Sequence, residues 1–440
     1  MSKAKDLTKN FGALSVIQAA NYFIPFIVLP LIVRIIGPDK FGLLNFLTAF
    51  VTYFILFINY GFDYSATRTI AGNKQNKEIV DTVFSEVLFT KIALFVVSIL
   101  LFSILFFCIP QLHKNGFVSI LIFAGCFANV LLPNWLFQGM GDLRRFALFN
   151  LVAKIVFFGS MLFFIRQQED YWLYALLSSL SQILVSVALF AYGIKRFNVQ
   201  VSFQRIKNIR SVLKTDKMLF FSTLMINLYT TSNIVILGFM QPESEVGIYT
   251  AAARIIAVVQ MLTLMPLSQT LFPHIGERFS ENKEEGLAAL RKVFPIVLLI
   301  SLFVSVCLFI TAPVAIRVLF GNKFESAIWI LRLLSCNVFI VSISNLLGTQ
   351  AMLNMKQDRS FFIASVIGSV CCIVLNLVLT PVYAAYGTAI AWVCTEIIIV
   401  ICMSLMLKKL RVSLFDKRYF NAGYIIGTGK HLLKIARPKS

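Results

Sequence analysis

Stretches of about twenty apolar residues recur along almost the whole of this chain, each long enough to cross the hydrocarbon core of a bilayer as a helix. Only short polar breaks separate them. A soluble protein of 440 residues with 58% hydrophobic residues, 14% charged residues and a mean hydropathy of +0.83 would carry more apolar surface than any core could hide. The solvent is therefore lipid. Because the runs are continuous and do not alternate, they argue for membrane helices and against a barrel.

Marking the runs gives crossings at Phe11 to Ile36, Phe41 to Phe62, Val83 to Ile109, Phe117 to Phe137, Phe146 to Ile165 and Tyr171 to Ile194. A second set lies at Met218 to Met240, Val246 to Phe272, Val293 to Thr311, Ala327 to Gln350, Phe361 to Val382 and Tyr386 to Leu407. Between the sets runs KRFNVQVSFQRIKNIRSVLKTDK, residues 195–217, with seven cations and the single acid Asp216. The expected organisation is an all-α integral membrane protein of about twelve helices. It comprises a six-helix bundle over 1–194, a basic connector at 195–217, a second six-helix bundle over 218–410 and a basic tail at 411–440.

The net charge of +20 raises nucleic acid as a partner, but the cations sit between apolar runs and form no patch with interleaved aromatics. They encode topology instead. The amino-terminal segment and every second break hold 30 lysines and arginines, whereas the intervening breaks, counted with Arg34 at the end of the first crossing, hold 6. This asymmetry places both termini and the connector in the cytoplasm. The basic start, MSKAKDLTKN, is followed by a run too long for a signal peptide and is read as leading into the first membrane helix.

The halves echo each other. Gly37-Pro38 with Gly42 recurs as Gln241-Pro242 with Gly247, Asp142-Leu143-Arg144-Arg145-Phe146 as Asp358-Arg359-Ser360-Phe361, and Lys195-Arg196 as Lys408-Lys409. With an even number of crossings per half, such repeats are related by a pseudo-two-fold axis along the membrane normal, and sites in proteins of that kind lie between the halves.

Charges inside the bilayer are the sharpest functional signal, since each costs about 2.5–3.5 kcal/mol at a helix centre. Lys91 and Lys154 lie roughly 12 Å inside their crossings, Arg254 lies at similar depth from the other side, Arg332 is shallower and Glu396 falls near the middle of the last crossing. Four cations against one acid make a net basic interior, suited to a phosphate-bearing substrate. The plain alternative is that the long stems snorkel to the interface and Glu396 pairs with a neighbour. Gln18 and Asn21 on the first crossing, and Asn227 with Thr230 and Thr231 on the seventh, form polar stripes that suit sugar hydroxyls or, equally, interhelical hydrogen bonds. Pro25, Pro30, Pro266 and Pro273 loosen their helices and permit bending.

Enzymatic readings find little support. His113, His274 and His431 all lie in breaks or the tail, no nucleotide-binding motif is present, and the eight cysteines lack zinc-ligand spacing and read as small hydrophobes. Neither a catalytic residue, a metal site nor a cofactor is assigned.

Gln18-Ala19-Ala20-Asn21-Tyr22, Pro25, Pro30, Val33-Arg34-Ile35-Ile36-Gly37-Pro38 with Phe41-Gly42, Tyr60-Gly61-Phe62, Ala66-Thr67 and Ile70-Ala71 together resemble the opening of the Wzx-type O-antigen flippases. The likeness continues through Trp135-Leu136-Phe137-Gln138-Gly139, Ile236-Leu237-Gly238-Phe239, Pro266 with Gln269 and Pro273, Gly348-Thr349-Gln350 with Met352-Leu353, and Thr395-Glu396. The resemblance implies the multidrug/oligosaccharidyl-lipid/polysaccharide exporter fold, two six-helix bundles forming a V around a central cavity. It implies a flippase in the bacterial inner membrane that moves undecaprenyl-pyrophosphate-linked repeat units to the periplasmic leaflet by alternating access. Arg254, in Ala252-Ala253-Arg254-Ile255, is similar in placement to a cavity arginine of the lipid II flippases. Proton or sodium coupling, with Glu396 as the titratable candidate, and contact with a polysaccharide polymerase and chain-length regulator are left open by the residues. So are two rivals, a cation-coupled multidrug antiporter of the same fold and a non-transporting membrane assembly partner. The antiporter would favour an acidic interior.

Overall fold

A computed structural model describes the backbone of residues 2–414 and Tyr419, with side chains from Ile24 onward except at 207, 222, 226, 265–267, 269, 270 and 274. Nearly every described residue is helical and none forms a strand. The first half contains α1 (Ser2–Asn59), α2 (Phe62–Gly72), α3 (Lys77–Cys108), α4 (Pro110–Lys114), α5 (Gly116–Ala124), α6 (Cys126–Leu131), α7 (Asn134–Met140), α8 (Leu143–Phe164) and α9 (Tyr171–Phe197). The second contains α10 (Ile206–Met240), α11 (Glu243–Glu281), α12 (Lys283–Leu319), α13 (Ala327–Asn345) and α14 (Asp358–Lys409), with a π-helical stretch at Leu346–Leu353.

Two of these helices are too long to be single crossings. At 1.5 Å per residue α1 and α14 would run roughly 87 and 78 Å, more than twice a bilayer core. Each contains one residue outside the helical region. Gly37 (φ 75°, ψ 174°) breaks α1, because the residue before a proline is pushed out of the helical region and only glycine accepts that φ without strain. Ala384 (φ 48°, ψ −130°) breaks α14 three residues after Pro381. Nine described stretches are long and apolar enough to cross a membrane, and the bent helix α10 makes a tenth. The breaks in α1 and α14 bring the number to the twelve read from the sequence.

The fourth crossing is less regular than its apolar run predicts. It is built from α5, α6 and α7, interrupted at Gly125 and at Leu132–Pro133. The basic connector is also partly structured, since the helix that becomes the seventh crossing begins at Ile206.

The chain divides into two compact units. One takes in the chain as far as Asn227 together with Pro242–Gly247; the other takes in Leu228–Gln241 and the chain from Ile248. In the first, Phe62, Ile70, Phe84, Val87, Trp135 and Leu136 bury a common core between α2, α3 and α7. Gly139 permits this approach, since a Cβ there would stand 2.7 Å from Ile70 Cγ2. A second cluster stacks Phe102 on Phe123 at 4.0 Å between centroids, with Phe54 edge-on to both. In the second unit Leu287, Leu290 and Phe294 of α12 pack with Leu346, Met352, Ile399 and Met403.

Candidate functional site

In the first unit Lys91 is 2% exposed, and its ammonium donates to Asn59 Oδ1 at 2.9 Å and to the Asn129 carbonyl at 3.1 Å. The second acceptor is available for a covalent reason. The residue four positions beyond Asn129 is Pro133, which has no N–H to close the helical bond. Lys91 fills the vacancy. Asn59 Nδ2 reaches Asn129 Oδ1 at 3.4 Å and closes the network. Of the five charges singled out in the sequence, this one is fixed in place between α1, α3 and α6.

The remaining cations are differently placed. Lys154 is half-buried on α8 and has a partner of its own. Arg332, on α13, lays its guanidinium 4.5 Å over Trp329 and 5.4 Å over Phe309, while its Nε is buried without a hydrogen bond. Arg254, on α11, is exposed and makes no hydrogen bond, ion pair or ring contact among the described residues. It is the cation most available to an anion. The Asn227 amide donates back to the Thr223 carbonyl at 2.9 Å. Gln18, Asn21, Pro266 and Gln269 lie outside the residues whose side chains are described, whereas Pro25 and Pro30 sit within α1.

The second unit holds a buried polar seam that the sequence reading passed over. Asn376 Nδ2 donates to Asn233 Oδ1 at 2.8 Å, Cys372 Sγ lies 3.3 Å from the same oxygen, and Thr380 and Thr388 share a hydroxyl bond of 3.0 Å. Cys372 is thus a weak donor as well as a small hydrophobe. Below the break in α14, Gln241 Nε2 donates to the carbonyls of Thr380 (2.9 Å) and Pro381 (3.3 Å), which Ala384 leaves open. Glu396 is 6% exposed, with Trp392 and Ser344 as hydrogen-bond neighbours. Asn337, one face-repeat before Ser344 on α13, is fully buried with neither amide atom bonded, and Gln350 donates to Ser268 at 3.0 Å but leaves Oε1 unpaired. Gln350 lies in the π-helical stretch, a distortion often found at functional sites. Its signal in the sequence was Gly348-Thr349-Gln350; Asn59, Asn129, Asn233 and Asn376 gave none beyond being amides in apolar runs.

A bundle of broken membrane helices with buried charges and amides defines a multi-pass membrane protein. Solved structures agree. The chain is similar to the lipid II flippase MurJ in an inward closed conformation (TM-score 0.68, 17% identity, 89% of this chain and 87% of that one). It is equally similar to an inward-facing multidrug resistance MATE family transporter of the MOP superfamily (TM-score 0.71, 17% identity, 91% and 98%). The sequence profile of the family described as polysaccharide biosynthesis protein matches residues 7–279, and the chain belongs to that family. Among relatives, a protein of Escherichia coli (strain K12) named for O-antigen transport is 27% identical over 405 residues, covering 92% of this chain and 97% of its own. A Haloferax volcanii protein named as a low-salt glycan biosynthesis flippase, Agl15, is 24% identical over 258 residues, covering 57% and 52%.

Proposed function

We propose that this protein flips a lipid-linked oligosaccharide repeat unit across the bacterial inner membrane, from the cytoplasmic to the periplasmic leaflet, by alternating access. The observation that carries the reading is the near full-length likeness to a relative named for O-antigen transport. The anionic headgroup, an undecaprenyl pyrophosphate, meets crossings whose five singled-out charges are four cations and one acid, and Arg254 is the exposed cation among them that engages it. Outward movement of an anion across an inside-negative membrane is downhill by about 2.3 kcal/mol per charge per 100 mV, so the potential assists the pyrophosphate. The sugar is the obstacle, because its hydroxyls lose water unless polar side chains replace it. Lys154, Arg332, Gln18, Asn21 and Asn227 are assigned to that lining and Lys91 to its support. The prenyl tail stays in lipid.

Glu396 is the proposed coupling group for a proton or sodium gradient, being the one acid deep in a crossing. The termini and the connector are assigned to the cytoplasm on the 30 to 6 cation asymmetry. Contact with a polymerase and a chain-length regulator belongs to the same reading. A drug antiporter of this fold would be served by an acidic interior, and the charges run the other way. The test is complementation of surface polysaccharide in a strain lacking its flippase, comparing native protein with Arg254→Ala at matched membrane expression. Loss of polymer with accumulation of lipid-linked repeat units supports the assignment; unchanged polymer removes Arg254 from the route.

A further inference from the structure

The basic connector is the feature that flipping leaves unexplained. From Val199 to Arg205 it runs extended along α3, where Gln200 N donates to Asp81 Oδ1 (3.0 Å), Ser202 N donates to Ser85 Oγ (3.0 Å), and the Phe203 ring meets Phe89 edge-on at 5.2 Å. These contacts climb the helix. From Asp81 to Phe89 is about 12 Å along the axis, and Phe89 lies roughly 9 Å inside the crossing that begins at Val83. Phe203 therefore sits at hydrocarbon depth, with 82% of its surface exposed, and Ile206 beside it is 83% exposed.

Charge is sorted around this pair. Arg205, Arg210, Lys214 and Lys217 are all exposed. The connector's one acid, Asp216, is buried and accepts a hydrogen bond from Ser65 Oγ at 2.8 Å. Val212 and Leu213 pack toward the core of the first unit. The outward face of the segment thus carries cations unopposed by any acid of its own, flanking two large apolar side chains.

We propose that Phe203 and Ile206 form a wedge in the bilayer, around which Arg205, Arg210, Lys214 and Lys217 gather anionic phospholipid headgroups. The site recognises phosphodiester lipids by charge while the wedge fixes its depth. A juxtamembrane cation near an anionic surface contributes about fivefold in affinity, and four of them make the selection substantial. The site is independent of the transported substrate.

The experiment places a tryptophan at the wedge, Phe203→Trp, in the full chain reconstituted into vesicles of equal parts phosphatidylglycerol and phosphatidylcholine. The brominated acyl chains are carried by one lipid or the other. Emission of the parent protein, with its four native tryptophans, is subtracted. Phe107→Trp is the control, since Phe107 is 79% exposed on α3, remote from the connector. The expected result is quenching at 203 by both lipids but at least about twofold stronger by brominated phosphatidylglycerol, with a ratio near one at 107. High salt brings the ratio at 203 to one, because screening shortens to about 3 Å at 1 M. The combined Arg205→Gln, Arg210→Gln, Lys214→Gln and Lys217→Gln variant does the same; if that variant fails to insert, the salt series decides. No quenching at 203 overturns the wedge, and equal ratios at 203 and 107 overturn the headgroup site. The vesicles contain no lipid-linked sugar and are symmetric, so neither flipping nor orientation enters the result.

Discussion

Replacing Asn59 by leucine tests what Lys91 does. The native ammonium has two acceptors, Asn59 Oδ1 at 2.9 Å and the Asn129 carbonyl at 3.1 Å, in a site that is 2% exposed. Asn59→Leu removes one of them and leaves the charge buried, a loss of about 1.5–3 kcal/mol for a charged hydrogen bond. Lys91→Met removes the charge itself. It leaves two oxygens unpaired, at about 1–3 kcal/mol each, but relieves the roughly 2.5–3.5 kcal/mol that a buried charge costs in a membrane helix. The two effects nearly cancel. The double variant leaves the Asn129 carbonyl and Oδ1 unpaired but buries no charge, so it should be more stable than Asn59→Leu alone. At about 2–4 °C per kcal/mol for a unit of this size, Asn59→Leu should melt some 3–12 °C below the native protein and Lys91→Met within a few degrees of it. Thermal unfolding of the purified protein in one detergent measures all four members of the cycle. Should Lys91→Met prove the less stable of the two single variants and the two substitutions add, the network is not what holds the lysine. Surface-polysaccharide complementation by Lys91→Met then separates support from substrate contact, since a supporting lysine leaves export intact in the folded variant.

Ala384→Gly should raise the melting temperature, because relief of a backbone conformation worth about 1–3 kcal/mol exceeds the entropy glycine adds to the unfolded chain, about 0.5–1 kcal/mol. Gln241→Leu should lose about 1–2 kcal/mol by unpairing the Thr380 and Pro381 carbonyls, and Gln241→Glu should lose more because a carboxylate cannot donate to them; the same melts decide the order. Gly139→Ala should cost about 1–3 kcal/mol by overlap with Ile70, whereas Gly72→Ala, whose Cβ would meet nothing within 4 Å, should be neutral in expression and melting.

Much of the fold was legible because membrane helices advertise themselves by length and composition. The breaks at Gly37 and near Pro381 could be placed because glycine and proline act on their own backbone, whatever surrounds them. Lys91 shows where legibility stopped. Its depth marked it as costly, yet a buried lysine serving a substrate and one serving a helix break look alike in a string of letters. The distinguishing partner, an Asn129 carbonyl freed by Pro133, lies on a different helix. The seam of Asn233, Cys372, Asn376, Thr380 and Thr388 was missed for the same reason: α10 and α14 bring together residues more than 130 positions apart.

The sequence alone determined that lipid is the solvent, that about twelve helices cross it, and which breaks carry the cations, since hydrophobic transfer and charge placement are summed residue by residue along the chain. Tertiary structure decided which buried polar groups are satisfied and which remain open. It held Lys91 in a closed network, left Arg254 exposed and Asn337 unbonded, and laid the connector against α3 so that Phe203 meets Phe89. Hydrogen bonds act over about 3 Å and demand geometry, so only the packing of distant segments settles what each such side chain is free to do.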